Sequence, residues 1–253
     1  APPEPVVFKW VPPAATPDTF YPKPDEYDGP VPTKFSESPM SAALVKTGAI
    51  LPLAQRIPPP EDVRIYPVAD EIGVYGGTRR AVSHRAQFVD YFSSTSGGVD
   101  WNRFGLQHLG GHYKSITRSE DGRTFTYTDR KNMRWGDGYP HTMEDHRFAL
   151  EDLMLNKELM PGLPSQLTSP VTGNDFTFKV VDDLSYTMSW DDPNWPVMEA
   201  SGVSVFSSMR GCPRCYIHAS HIFKRYHTKY NSAEIPALLE KWEQPTWTKM
   251  YVS

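Results

Sequence analysis

The sequence predicts a mixed α+β fold on three observations. Short runs alternate apolar and polar residues, capped helix starts are interleaved with them, and the first segment has a proline-rich composition unlike the rest.

Residues 1–34 hold ten prolines, interleaved with Phe8, Trp10, Phe20, Tyr21 and Tyr27. Proline fixes φ and removes a backbone donor, so an extended arm without a core of its own is expected over 1–34, followed by a folded lobe over 35–253. Holding such an arm in one shape has an entropic cost that contacts must offset. Phe8, Trp10, Phe20 and Tyr21 are the expected anchors on a neighbouring protein surface.

Ser38 before Pro39 is a candidate N-cap, and Gly48 a stop, giving a helix over Pro39–Thr47. A proline-rich joint at Ile57–Glu61 precedes an extended piece at Val63–Val68. Gly76 and Gly77 lead into an expected strand, Thr78–Val82. Glu120-Asp121-Gly122 is a turn before Arg123–Thr128, whose β-branched and aromatic residues suit a strand. Trp135-Gly136-Asp137-Gly138 supplies a second turn. Thr142 with Asp145 three residues later makes a capping box for a helix running to about Leu155, with Met143, Leu150, Leu153 and Met154 as its buried stripe. Phe176, Phe178 and Val180 alternate, as do Tyr186, Met188 and Trp190, so a hairpin with one buried face is expected there. Tyr216–Tyr226 and Ser232–Trp242 read as amphipathic helices, the second capped by Ser232.

The net charge of −4, from 26 basic and 30 acidic residues, gives no positive field to draw phosphate backbones, which argues against nucleic acid. No apolar run reaches the roughly 20 residues that cross a bilayer. The first residue is Ala1, from which a processed form is expected.

Cys212, Cys215, His218 and His221 place four metal donors within ten residues. Zinc is one reading, but the spacing is not that of a finger, and a continuous helix would turn the donors apart. A disulfide or plain structural thiols are favoured, and a redox Cys-Pro-Arg-Cys lacks its βαβ setting. His141, Glu144, Asp145 and His146 do not have the His-Glu-x-x-His spacing, and the cap accounts for Thr142 and Asp145. Asp182-Asp183 and Asp191-Asp192 are expected in turns. No nucleophile elbow, phosphate-cradling loop or dinucleotide fingerprint occurs, so no enzyme and no resident cofactor is predicted.

Four stretches in order, Ser36–Arg56 with Glu71–Arg80, Ser119–Asp145, Phe178–Trp190 and His221–Asn231, resemble the bacterial extracellular solute-binding proteins of family 5, the oligopeptide-binding group. The second is the most specific: a strand, an Arg-containing turn, Trp-x-Asp-Gly and a Thr-x-x-Asp cap. The resemblance implies a single lobe of a periplasmic-binding-protein-like (class II) fold. It also accounts for His221 without a metal. Two departures stand out: Asp129 where the family has Leu, and Asn132 where it has Gly. The stretch between Asn102 and Ser119 is also short for the family.

Members of that family are longer and close two lobes over a ligand. On that ground the expected function is a non-enzymatic accessory subunit of a large membrane-associated assembly, with other protein subunits as partners. A mitochondrial, inner-membrane-associated respiratory complex such as the NADH dehydrogenase is the expected setting. The alternative is an oligopeptide- or solute-binding component of an ABC transporter in the bacterial periplasm or at the cell surface, present as a fragment, with peptide as its ligand.

Overall fold

The computed structural model describes residues 30, 32–65, 74–77, 99–101, 108–195, 197 and 217–252. Most of the expected arm, the strand expected at Thr78–Val82, and the two cysteines lie outside the described residues.

The centre is a four-stranded antiparallel sheet of β3 (Tyr113–Arg118), β4 (Thr124–Asp129), β5 (Thr177–Asp182) and β6 (Ser185–Ser189), in the order β3-β4-β6-β5. A two-stranded pair, β1 (Val99–Trp101) and β2 (His108–Gly110), stands beside it. In β4 the threonines alternate with Phe125, Tyr127 and Asp129, and the three alternating residues are buried. The register places Tyr127 opposite Tyr186 and Phe125 opposite Met188. Those two tyrosine rings stack at 4.8 Å and 4°. Cross-strand aromatic pairs of this kind hold the register against slippage.

Strand β5 lies at the edge, and the hairpin expectation is met unevenly there. Phe176 is buried, yet Val180 is 39% exposed, since among the described residues no strand lies beyond β5 to cover it. The β3–β4 turn needs Gly122 at φ +70°, and a Cβ there would come 3.1 Å from the Trp195 ring. That indole also carries the Arg118 guanidinium 4.2 Å from its centroid.

Helix α1 spans Pro39–Lys46, with the Ser38 hydroxyl accepting from Ser41 N and Gly48 at φ +72° past its end. A single turn, α2 (Leu53–Arg56), and a 3₁₀ turn (Pro60–Asp62) follow. Asp62 fastens this segment to the sheet: its carboxylate accepts from Lys114 Nζ at 2.5 Å and Lys131 N at 2.9 Å.

Helix α3 (Met143–Arg147) starts on the expected capping box and continues as a π-helix over Phe148–Met154 rather than as α-helix. The wider turn brings residues five apart together. Arg147 thereby reaches Asp152 as well as Glu144 and Glu151, at 2.9, 2.6 and 3.1 Å. Met143, Leu150 and Met154 pack on the aromatic face of the sheet, whereas Phe148 and Leu153 turn towards the C-terminal helices.

Those helices are α4 (Ser220–Phe223), tightening into a 3₁₀ turn over Lys224–Tyr226, then α5 (Thr228–Asn231), α6 (Ile235–Lys241) and α7 (Trp247–Val252). The long helix expected from Tyr216 is thus one turn of α-helix and one of 3₁₀, beginning at Ser220. Ser232 closes α5 instead of opening the next helix. The reason is Pro236, whose ring is tolerated only in a first turn, so α6 cannot begin at Ala233, directly after Ser232.

Asp152 joins the two helical layers. Its carboxylate accepts from Lys229 Nζ at 2.6 Å, from Arg147 and from the Tyr230 hydroxyl. Burial pushes its carboxyl up, but these hydrogen bonds outweigh that effect and hold it below the usual carboxylate range. A folded pKa below the unfolded value contributes stability that is present above about pH 4 and is lost as pH falls through the folded value. Asp152→Asn is expected to cost about 2–3 kcal/mol at neutral pH. The gap to the unsubstituted chain should narrow as the pH is lowered below about 4, as urea melts across that range would show.

Candidate functional site

The alternation that buries Phe125 and Tyr127 also carries Asp129 inward, at the end of β4, where it is 2% exposed. A buried carboxylate needs partners. Its Oδ2 lies 2.9 Å from His146 Nε2 and 3.3 Å from His141 Nδ1. His141 is fixed just before the α3 cap and His146 within the first turn of α3, so the helix start presents both rings to the strand end. His112, immediately before β3, meets the His141 ring edge-on at 5.5 Å. One donor atom from each of His112, Asp129, His141 and His146 lies within 4.8 Å of every other.

Burial pushes the His112 and His141 imidazoles down to about 4, so both are neutral at physiological pH. Burial works against the Asp129 charge as well, but the hydrogen bond from His146 and the surrounding imidazoles hold its carboxyl below the ordinary range. His112 Nε2, His141 Nε2 and Asp129 Oδ1 are buried without a hydrogen-bond partner. The wall behind is aromatic, with the His146 ring 4.7 Å from Tyr186 and 5.7 Å from Tyr113. The Tyr113 and Tyr186 hydroxyls are 2.6 Å apart. Imidazoles around a carboxylate can hold a proton or a small cation, but Asp129 and His146 lie too deep to face an incoming solute.

Solute-sized concavities lie closer to the surface, around α1, α2 and the turn at 130–138. One, of about 500 Å³, is lined by Gly48, Leu51, Arg56, Arg134, Trp135 and Gly138. Another, of about 420 Å³, is lined by Phe35, Leu53, Pro58, Pro60, Lys131 and Asn132. Arg134 ties their walls together, donating from Nε to Gln55 O at 2.6 Å and from Nη1 to Gly138 O at 2.8 Å. Asn132 takes φ +56° and donates from Nδ2 to Ile57 O at 2.9 Å, doing the conformational work of the glycine it replaces.

Of the four donors considered for zinc in the sequence, Cys212 and Cys215 lie outside the described residues. His221 Nε2 is 2.7 Å from Asp137 Oδ2, and its ring stacks on Tyr139 at 3.9 Å. His218 is buried against Phe223 and Tyr251. Phe8, Trp10, Phe20 and Tyr21, the expected partner anchors, also lie outside the described residues. The structure instead groups His141 and His146, set aside in the sequence as parts of a helix start, with His112 and Asp129. The readable signal was Asp129, a charge on the buried side of an alternating strand.

No protein-family model matches the chain. The structure is similar to an oligopeptide-binding protein OppA, with a TM-score of 0.70 and 23% identity over 87% of this chain and 32% of that one. It is also similar to the periplasmic binding protein MelB of Agrobacterium fabrum C58 in complex with stachyose, with a TM-score of 0.57 and 22% identity over 76% of this chain and 30% of that one. In sequence, the chain is 27% identical over 207 residues to a periplasmic α-galactoside-binding protein of Rhizobium meliloti (strain 1021), covering 74% of this chain and 28% of that protein. The fold is that of the periplasmic binding proteins, and the chain corresponds to part of one lobe. It spans about a third or less of the length of each of these three proteins.

These likenesses overturn the expectation of an accessory subunit in a mitochondrial respiratory complex, with other subunits as partners and an inner-membrane setting. The proteins that the chain resembles in sequence and shape are binding proteins, two of them described as periplasmic, and none is a respiratory subunit. The expectation rested on chain length, the short stretch between Asn102 and Ser119 and the Pro-rich arm, none of which carries chemistry that names a partner. Among the described residues no helix is long and apolar enough to cross a membrane.

Proposed function

We propose that the chain is part of the solute-capturing component of a bacterial ABC transporter, working in the periplasm and binding an oligomeric solute without transforming it. The observation that carries this reading is the match of fold over 87% of the chain to an oligopeptide-binding protein, together with the sequence match to an α-galactoside binder. An oligosaccharide is the favoured ligand class, because the sequence match and one of the two structural matches name sugar ligands. The clefts around Arg56, Arg134 and Trp135 suit it: a guanidinium hydrogen-bonds sugar hydroxyls and an indole stacks on a pyranose face. Oligopeptide is the second reading, supported by the higher TM-score of the OppA match.

Saturation-transfer NMR on the 253-residue chain with stachyose, and separately with short peptides, tests both. A lone lobe makes only part of the contacts of a closed trap, so affinity near 1 mM, about −4 kcal/mol, is expected. Saturable transfer from stachyose that Trp135→Ala weakens supports the sugar reading. Saturable transfer from peptides alone selects the second. No saturable signal from either class removes the proposal.

A further inference from the structure

We propose that His112, Asp129, His141 and His146 bind one divalent transition-metal ion of the zinc type, which pins the end of β4 to the start of α3 and the entry of β3. This goes beyond solute capture and does not depend on it. Zinc takes imidazole nitrogens and carboxylate oxygens at about 2.0–2.2 Å, which sets neighbouring donors of a tetrahedron roughly 3.3–3.5 Å apart. Asp129 Oδ2 already sits 2.9 Å from His146 Nε2 and 3.3 Å from His141 Nδ1. None of the remaining donor separations is above 4.8 Å, within reach of a tetrahedron once the rings adjust around the ion.

The competing explanation is a metal-free network in which Asp129 orients its histidines. That leaves His112 Nε2 and Asp129 Oδ1 buried and unbonded beside the other donors, when native interiors satisfy nearly all such groups. A cation ligated at this point takes up the His112 lone pair and offsets the Asp129 charge. The donor set selects the ion: calcium and magnesium want six or more oxygens, whereas three imidazoles and one carboxylate suit zinc, cobalt or nickel. Four side-chain ligands complete a tetrahedron, so the role is structural, with no position left for a reacting water.

The test uses the full 253-residue chain, stripped with chelator and titrated with Zn²⁺ alone, with bound metal read by mass spectrometry and the melting temperature followed in parallel. The expected results are one ion per chain and a higher Tm. Co²⁺ should give the visible bands of a tetrahedral nitrogen and oxygen site without thiolate charge-transfer absorption. The double variant Cys212→Ser/Cys215→Ser should bind as before. His112→Gln, at a half-buried position, should weaken binding by more than about 100-fold, the upper end of what losing a metal ligand's supporting partner costs. Asp129→Leu should fold, since it continues the apolar face of β4, and bind no cobalt at this site. Unchanged affinity in both of these variants, loss of the ion in the cysteine variant, or a folded chain whose Tm ignores zinc would each overturn the proposal.

Discussion

Replacing Asp145 by alanine is expected to destabilise the protein by about 3–5 kcal/mol, because three donors lose their acceptor together, Ser220 N in a buried bond and Thr142 N and Trp135 Nε1 in part-buried ones. Its Oδ2 accepts from Thr142 N at 2.9 Å and from Trp135 Nε1 at 3.1 Å, and its Oδ1 accepts from Ser220 N at 2.8 Å. One carboxylate therefore caps α3, fixes the indole of the Trp-Gly-Asp-Gly turn and anchors the start of α4, which lies 75 residues further along the chain. Losing a cap alone costs about 1 kcal/mol, which is the expected size for Thr142→Ala. The excess for Asp145→Ala over that value measures the tertiary part of the bond set. Asp145→Asn keeps one acceptor oxygen and should fall between the two. Urea denaturation of the three variants at neutral pH gives the comparison, and equal midpoints for Asp145→Ala and Thr142→Ala would show that the bonds to Trp135 and Ser220 contribute nothing.

The local rules that made this region legible are short-range. A hydroxyl followed three residues later by a carboxylate, a Gly after a turn, and threonines alternating with aromatics are each decided within a few residues, and α1, β4 and the start of α3 follow them. Where the chain departed from expectation, a longer-range or steric effect won. The π-turn after Arg147 accompanies contacts of that side chain to the residue three positions before it and to those four and five positions on. Pro236 moved a helix start that Ser232 seemed to offer. Val180 is uncovered because strand order, which no local pattern encodes, puts β5 at an edge.

The histidine and aspartate centre was half legible. The phase of the RTFTYTD run buries Asp129 as surely as it buries Tyr127, and the family pattern has an apolar Leu at that place, so a need for partners was readable. Which partners was not, because His112, His141 and His146 converge only after β3 pairs with β4 and α3 folds back over the sheet. The functional expectation failed for a different reason. Chain length, the short stretch between Asn102 and Ser119 and the Pro-rich arm carry no chemistry that names a partner, whereas the proteins that the chain resembles in sequence and shape are binding proteins.

The second large effect is expected at Phe125. This side chain is wholly buried in β4, opposite Met188, with its ring edge-on to Trp190 at 5.8 Å and 87°. Phe125→Ala removes the apolar area and leaves a cavity that the strands on either side cannot collapse into, because their backbones are held by the ladders to β3 and β6. The expected cost is about 3–5 kcal/mol. In a chain of this size that corresponds to a Tm lowered by roughly 6–20 °C. The lost contact with Trp190 adds a local signature, since that indole is held by a 3.0 Å hydrogen bond to Leu167 O and by the Phe125 edge. Phe125→Leu keeps most of the volume and should cost less than about 1.5 kcal/mol, leaving the near-ultraviolet dichroism of Trp190 close to that of the unsubstituted chain. A Phe125→Ala variant that melts within a degree or two of the unsubstituted protein would mean that the β4 face is not the core, and that the aromatic wall behind His146 is not rigid enough to position the centre.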